Sequence, residues 1–132
     1  MNSMERVVTA LNHQEPDRVP VYPLLAGVSR NLLGVSCKDW STNADLCAEG
    51  LLKAREEYEQ DCIVTLIDLS VECTAWGQEL VYPDHEAAHP NYSNQVIANE
   101  DEYDKIKYVD YRTCDRMMMH IDVCKKLVEA GL

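Results

Sequence analysis

The sequence predicts a single α/β domain, residues 1–132, in which helices cover a parallel sheet. Two short apolar segments, Val19–Leu25 and Cys62–Ile67, have the length and composition of strands, and an amphipathic helix from about Ala44 to Gln60 lies between them. The second segment is apolar almost throughout, a pattern typical of a strand buried on both faces of a parallel sheet. A strand, a helix and a second buried strand together form one βαβ unit, which needs helices outside its sheet.

The N-terminal part predicts a helix followed by the first strand. Ser3 is placed to cap a helix over residues 4–12, because apolar residues recur there at helical spacing. Glu15-Pro16-Asp17 ends this helix. Pro20 and Pro23 suit the ends of a strand better than its middle, so the first strand is expected to be short.

The rest of the chain predicts short elements and a final amphipathic helix. Thr42 or Asn43 caps the helix that ends near Gln60. A short helix from Ser70 to Trp76 stops at Gly77, and a small strand over 79–82 pairs with 95–98 across a polar loop. An acidic helix over 100–107 follows. The last helix runs from about Cys114 to Ala130, with Gly131 as its C-cap.

Charge restricts the classes of partner. The chain has 12 lysines and arginines against 23 aspartates and glutamates, a net charge of −11. Such an acid excess repels phosphate backbones and anionic lipid, so we expect no nucleic-acid and no membrane partner. The segment Met1–Arg6 does not open a secretory signal, which predicts a cytoplasmic protein.

The cysteines and histidines do not predict a metal site. No CxxC motif occurs, and in a reducing compartment the cysteines are expected to act as small buried hydrophobic residues. His85 and His89 have the spacing of a helical metal pair, but Pro90 disfavours a helix and no third ligand is near. The six cysteines are Cys37, Cys47, Cys62, Cys73, Cys114 and Cys124.

Asp68 is the leading candidate for a catalytic residue. It closes the second predicted strand, and in parallel α/β folds the loops that carry chemistry gather at that end. A partly desolvated carboxylate can donate or accept a proton, or clamp a cationic group. The alternative is that Asp68 caps the helix beginning near Ser70. Glu72 lies one helical turn further, where it either faces the same pocket or is solvated.

Several segments resemble the N-terminal half of the uroporphyrinogen decarboxylase superfamily. They are Met4–Leu11, Glu15–Val21, Asp68–Gly77, and Arg116 with the helix that follows it to Gly131. The resemblance covers essentially the whole chain. It implies the N-terminal part of a TIM (β/α)8 barrel, incomplete in this chain because such barrels take roughly 250 residues.

The superfamily includes decarboxylases of haem biosynthesis and methyltransferases that move a methyl group from a methyl-corrinoid protein to a thiol such as coenzyme M. The decarboxylases carry an Arg-Gln-Ala-Gly-Arg motif after the first strand, where this chain has Leu24–Arg30 with Arg30 as its sole cation. A substrate with eight carboxylates would lose most of its charge-assisted bonds, each worth about 1.5–3 kcal/mol. The resemblance therefore favours the corrinoid-dependent methyltransferase branch. It implies Asp68 and Glu72 as catalytic residues and Tyr22 and Arg30 as substrate-binding residues.

The methyltransferase resemblance implies a zinc ion that activates the acceptor thiol, and a corrinoid protein or a small thiol as partner. The family's zinc ligands belong to its C-terminal half, and none of the six cysteines matches them. We therefore expect no cofactor bound by this chain alone, and no catalysis of methyl transfer by it alone.

Two alternatives remain, a true uroporphyrinogen decarboxylase and a non-catalytic truncated barrel module. Two strands cannot close a barrel and leave exposed edges, which predicts a homo-oligomer or a strand-exchanged dimer.

Overall fold

The computed structural model describes residues 1–132 as a mixed domain of helices and one small sheet. The α-helices are α1 (Ser3–Leu11), α2 (Cys37–Thr42), α3 (Ala44–Glu57) and α4 (Asp115–Glu129). The strands β1 (Leu80–Val81) and β2 (His89–Pro90) pair in antiparallel orientation. Short 3₁₀ helices span Ala26–Leu32, Glu72–Trp76, Glu100–Lys105 and Tyr111–Thr113. None of the helices has the length and apolar composition needed to cross a bilayer.

The core lies between α3 and α4, with Trp40 of α2 at one side. The buried residues of each long helix lie on one face, at spacings of three and four: Cys47, Leu51 and Ala54 on α3, and Met119, Val123 and Leu127 on α4. Gly50 makes room for the indole of Trp40, because a Cβ at position 50 would lie 2.9 Å from Trp40 Nε1. The buried core comprises Trp40, Cys47, Ala48, Leu51, Ile67, Val71, Met119, Val123 and Leu127.

The predicted helices at both ends of the chain are confirmed, with one change of cap. Asn2, and not Ser3, caps α1: its side chain accepts from the Glu5 N–H at 2.8 Å, and the Glu5 carboxylate accepts from the Asn2 N–H at 2.9 Å. Asn43, one of the two predicted caps, caps α3. Gly131 follows α4 in a left-handed conformation, with φ of 91°.

The predicted parallel sheet does not form, which corrects the assignment of Val19–Leu25 and Cys62–Ile67 as strands. A single backbone hydrogen bond joins the two regions, from the Asp61 N–H to the Val21 oxygen at 2.9 Å. Pro20 and Pro23 have no N–H to donate to a ladder. The apolar pattern predicts burial, but a strand also needs a neighbour whose backbone groups match its own.

The partner of the small strand also differs from the prediction. β1 falls within the predicted strand 79–82, but it pairs with β2, in a region predicted to be a loop, and not with 95–98. The backbone N–H of Val96 instead donates to the side-chain oxygen of Gln78 at 3.1 Å. A side-chain acceptor therefore takes the place of a ladder partner.

The helices predicted over 70–76 and 100–107 are present as shorter 3₁₀ helices. Gly77 ends the first of them with φ of 83°.

An ion-pair network joins the N-terminal helix to the two extended segments. Arg6 of α1 donates from Nε to Asp17 at 2.6 Å and from Nη1 to Asp61. Arg18 donates to Asp61 at 2.8 Å, and the Val21 N–H donates to the same carboxylate at 2.8 Å. The Glu15–Val21 motif therefore contributes to structure, because Asp17 and Arg18 hold the first segment against α1 and Asp61.

Stability is expected to fall at acid pH through Asp61. Burial alone would raise the pKa of this carboxyl, but the Val21 N–H and the arginine partners outweigh burial and lower it from 3.8 to about 2. A carboxyl whose pKa is lowered in the folded state makes its full contribution to stability at pH values above the pKa it has in the unfolded chain. The free energy of unfolding should therefore decrease as pH falls from about 4 towards 2. Urea unfolding across this range checks the decrease, and an Asp61→Asn variant should show a shallower dependence on pH.

Candidate functional site

A groove of about 660 Å³ opens where the two extended segments end. One wall is formed by residues 66–70, which include the end of the second segment, and the other by residues 86–90 and Tyr92 of the hairpin region. Ala26, directly after the first segment, also lines it. This volume is within the range of small-molecule sites, and its position matches the end of the segments where the sequence placed the chemistry.

Asp68 lies in the wall of the groove with its carboxylate buried. Its side chain is 1% exposed. Oδ1 accepts from the Ser70 N–H at 2.8 Å, the capping bond that the alternative interpretation described. Oδ2 accepts from Nη2 of Arg116. Asp68 therefore caps the following turn and forms an ion pair at the same time.

Arg116, in the first turn of α4, pairs with Asp68 and also donates from Nη1 to the Tyr82 hydroxyl at 3.1 Å. Burial alone would lower the pKa of Arg116, but its hydrogen bond and ion pair with Asp68 outweigh burial and raise it. The guanidinium therefore stays charged inside the protein. Its Nε is buried and has no hydrogen-bond partner.

The other predicted site residues do not line the groove. Glu72 is exposed and makes no hydrogen bond to Asp68, and Tyr22 on the first segment is exposed as well. Arg30 is only 8% exposed and lies beside the groove. Its Nη1 donates to the Gly27 oxygen at 3.0 Å and its Nη2 to the Asp84 oxygen at 2.9 Å. Asp68 alone of the four predicted residues forms part of the lining.

Two aromatic residues of the groove were missed by the sequence reasoning. The rings of His89 and Tyr92 stack with centroids 5.5 Å apart and planes 8° apart, and both residues line the groove. The sequence reasoning considered His89 only as a metal ligand with His85. The available signal was Tyr92, a single aromatic residue in the polar stretch that follows Pro90. Stacked rings give a ligand a flat apolar face with a polar edge.

No lysine or arginine lines the groove. Its acidic residues are Glu86 and Asp68, and the charge of Asp68 is balanced by its ion pair with Arg116 behind the wall. The chain as a whole carries a net charge of −11. The electrostatic potential in the groove therefore opposes a polyanion and suits a neutral or cationic ligand.

The zinc ion implied by the methyltransferase resemblance does not fit the residues of this chain. No group of three or more His, Cys, Asp or Glu side chains is placed to hold a metal ion. All six cysteines are free thiols. Burial raises the pKa of Cys47 to about 12, and that of Cys73 above its ordinary value, so both are protonated at neutral pH.

These features define a mixed α/β protein with a groove at the ends of two extended segments and a buried Asp–Arg pair in its wall. The family model for uroporphyrinogen decarboxylase (URO-D) matches residues 2–131. Because the match covers nearly the entire chain, the protein belongs to this family. Among curated proteins and among solved structures, no match was found.

Proposed function

We propose that this URO-D family member is of the corrinoid-dependent methyltransferase type and that its groove binds the corrin macrocycle of the methyl donor. The absence of lysine and arginine from the groove lining supports this choice over decarboxylation. In the complete TIM (β/α)8 barrel that the family implies, the groove would form part of the barrel mouth.

The two macrocycles that the family's branches use differ in the charge of their side chains. Uroporphyrinogen carries eight carboxylates, whereas a corrinoid carries amide groups around its ring. The groove offers the carboxylate of Glu86 to these side chains, while that of Asp68 is already bound by Arg116 and the Ser70 N–H. Carboxylates accept hydrogen bonds from amides but repel other carboxylates. Arg30 could serve a substrate carboxylate only by leaving the backbone oxygens of Gly27 and Asp84.

Each site residue has a role in this proposal. Asp68, the one predicted site residue in the groove wall, anchors the polar part of the ligand or handles a proton. Glu72, which makes no hydrogen bond to Asp68, acts on the ligand from the following turn. Tyr22 and Arg30 shape the entrance after the first segment. Because the chain offers no zinc donor set, its residues bind and orient the substrate, and the chain alone does not methylate a thiol.

A paired titration of the full chain tests this proposal. Methylcobalamin and uroporphyrin are each titrated into the protein while its tryptophan fluorescence is followed. We expect saturable binding of methylcobalamin and no saturable binding of uroporphyrin. Tyr92→Ala should weaken methylcobalamin binding about fivefold, the effect of losing an aromatic contact of about 1 kcal/mol.

Tyr108→Ala is the matched control, because Tyr108 is an exposed tyrosine outside the groove. It should leave the affinity unchanged. Saturable binding of uroporphyrin without binding of methylcobalamin would contradict the proposal and favour the decarboxylase. Methylation of a thiol by the purified chain would contradict the statement that the chain is inactive alone.

A specific observation supports a second candidate, a module that works by self-association. Val19, Leu24 and Leu69 flank or lie in the extended segments and are largely exposed, and those segments have unpaired backbone groups. Such edges template pairing with a second copy. We expect sedimentation velocity to show a dimer or larger species, increasingly so at high salt, which screens the net charge of −11. A monodisperse monomer at all salt concentrations would exclude this candidate.

A further inference from the structure

We infer that Arg30 and Arg116 are positioning residues that hold the β1–β2 hairpin in place as the second wall of the groove. The positioning of the hairpin is a property of the fold. Only the ligand-binding part of the test below rests on the proposed function. Neither guanidinium lines the groove, but each contacts the hairpin and also a segment on the groove's opposite side.

Arg116 joins the two walls directly. Its Nη2 binds the carboxylate of Asp68, which belongs to the wall formed by residues 66–70. Its Nη1 donates at 3.1 Å to the hydroxyl of Tyr82, the residue that follows β1. β1 in turn pairs with β2, placing His89 opposite Val81. The position of His89 in the groove is therefore linked to Asp68 through one guanidinium and one strand pair.

Arg30 makes a second link on the side of the first segment. Its Nη1 donates to the Gly27 oxygen, next to the groove residue Ala26, and its Nη2 donates to the Asp84 oxygen in the hairpin connection. Both acceptors are backbone carbonyls, so the contacts depend on the path of the backbone and not on the identity of neighbouring side chains. Tyr82 and Asp84 are two residues apart, and the two arginines thus hold the same short stretch.

The hairpin needs external support because its own pairing is minimal. β1 and β2 are two residues each, and an isolated two-stranded hairpin is marginally stable in water. The connection over 83–88 is mostly exposed. Charge-assisted hydrogen bonds from buried guanidiniums are among the stronger contacts available to such a segment. The planar fork of arginine suits this role, because one side chain can donate in two directions at fixed geometry.

Amide hydrogen exchange on the full chain tests the inference without any ligand. Three variants weaken one link each. Arg116→Lys and Arg30→Lys keep the charge but lack the planar fork that reaches two acceptors at fixed geometry. Tyr82→Phe removes only the hydroxyl. In each, we expect exchange in the hairpin to accelerate about tenfold, equivalent to about 1.4 kcal/mol. The reporter is the Asn91 amide, which donates to the Glu79 oxygen at 2.8 Å. Amides in the middle of α3 should exchange at the wild-type rate.

Arg112→Lys is the matched control, because Arg112 is exposed and its contacts, an ion pair with Asp110 and the ring of Tyr111, lie outside the hairpin. It should change neither set of amides. The inference is overturned if hairpin exchange in Tyr82→Phe and both lysine variants stays at the wild-type rate. It is equally overturned if α3 accelerates as much as the hairpin, because the arginines would then serve general stability.

A measurement of ligand binding distinguishes a failure of this inference from a failure of the proposed function. If the wild-type chain binds methylcobalamin, Tyr82→Phe and Arg30→Lys should weaken the affinity in parallel with the gain in hairpin exchange. If the wild-type chain does not bind methylcobalamin, the proposed function fails, and the exchange rates still decide whether the arginines position the hairpin.

Discussion

Replacing Asp68 with alanine is expected to lower the free energy of unfolding by about 3–5 kcal/mol, the loss typical of removing one partner from a buried ion pair. The side chains of Asp68 and Arg116 are 1% and 10% exposed, so water cannot take over from the missing carboxylate. The Ser70 N–H would lose its acceptor as well. Because Nε of Arg116 already has no partner, the variant would leave a largely uncompensated guanidinium inside the protein. Urea unfolding followed by circular dichroism measures the change.

Glu72→Gln is the control for this prediction. Glu72 is exposed and makes no hydrogen bond, so its replacement should change the free energy of unfolding by at most about 0.5 kcal/mol. Asp68→Asn keeps an acceptor for the Ser70 N–H and should fall between the two. A loss from Asp68→Ala of about 1 kcal/mol or less, the value of an exposed ion pair, would mean that the Asp68–Arg116 contact is not buried in solution.

Replacing Trp40 with alanine is expected to cost about 3–5 kcal/mol, as other buried aromatic residues do when a cavity is left behind. Trp40 is 1% exposed, and its indole sits against Gly50 and close to Ser29. α3 cannot easily collapse into the space, because it is fixed on its other side by α4. Thermal unfolding of the variant and the wild type measures the loss.

Trp40→Phe provides the contrast, because the indole Nε1 of Trp40 has no hydrogen-bond partner. Phenylalanine therefore loses volume but no hydrogen bond, and should cost clearly less than alanine. Trp76 differs in this respect, since its Nε1 donates to the Lys107 oxygen at 2.7 Å. Equal losses from Trp40→Phe and Trp40→Ala would show that the indole nitrogen, and not the ring volume, stabilises the core.

The sequence predicted the helices better than the sheet, for a physical reason. Helical periodicity and caps are local: Asn43 and Gly131 mark the start of α3 and the end of α4 within the helices' own segments. Strands need a partner elsewhere in the chain. The apolar run Cys62–Ile67 has no ladder partner. β1 pairs with β2 and not with the segment 95–98, where the Val96 N–H donates to the side chain of Gln78.

The candidate site shows the same division between local and distant contacts. Asp68 could be found because its position at the end of an apolar run is visible in the sequence. Its partner Arg116 is 48 residues away, and no local pattern links the two. Tyr82 and Arg30 likewise act through contacts with distant parts of the chain. The charge of the groove could not be predicted from the sequence, because the residues of its two walls are brought together only by the fold.

Chemical-shift mapping of the full chain with methylcobalamin tests the central claim, that the groove between residues 66–70 and 86–92 binds a macrocycle with amide side chains. Amide signals are compared before and after addition of methylcobalamin, and again with uroporphyrin. The expected result is that methylcobalamin shifts the signals of these two walls, while uroporphyrin leaves them in place. Shifts confined to other surfaces, or the same wall shifts with uroporphyrin, would contradict the claim.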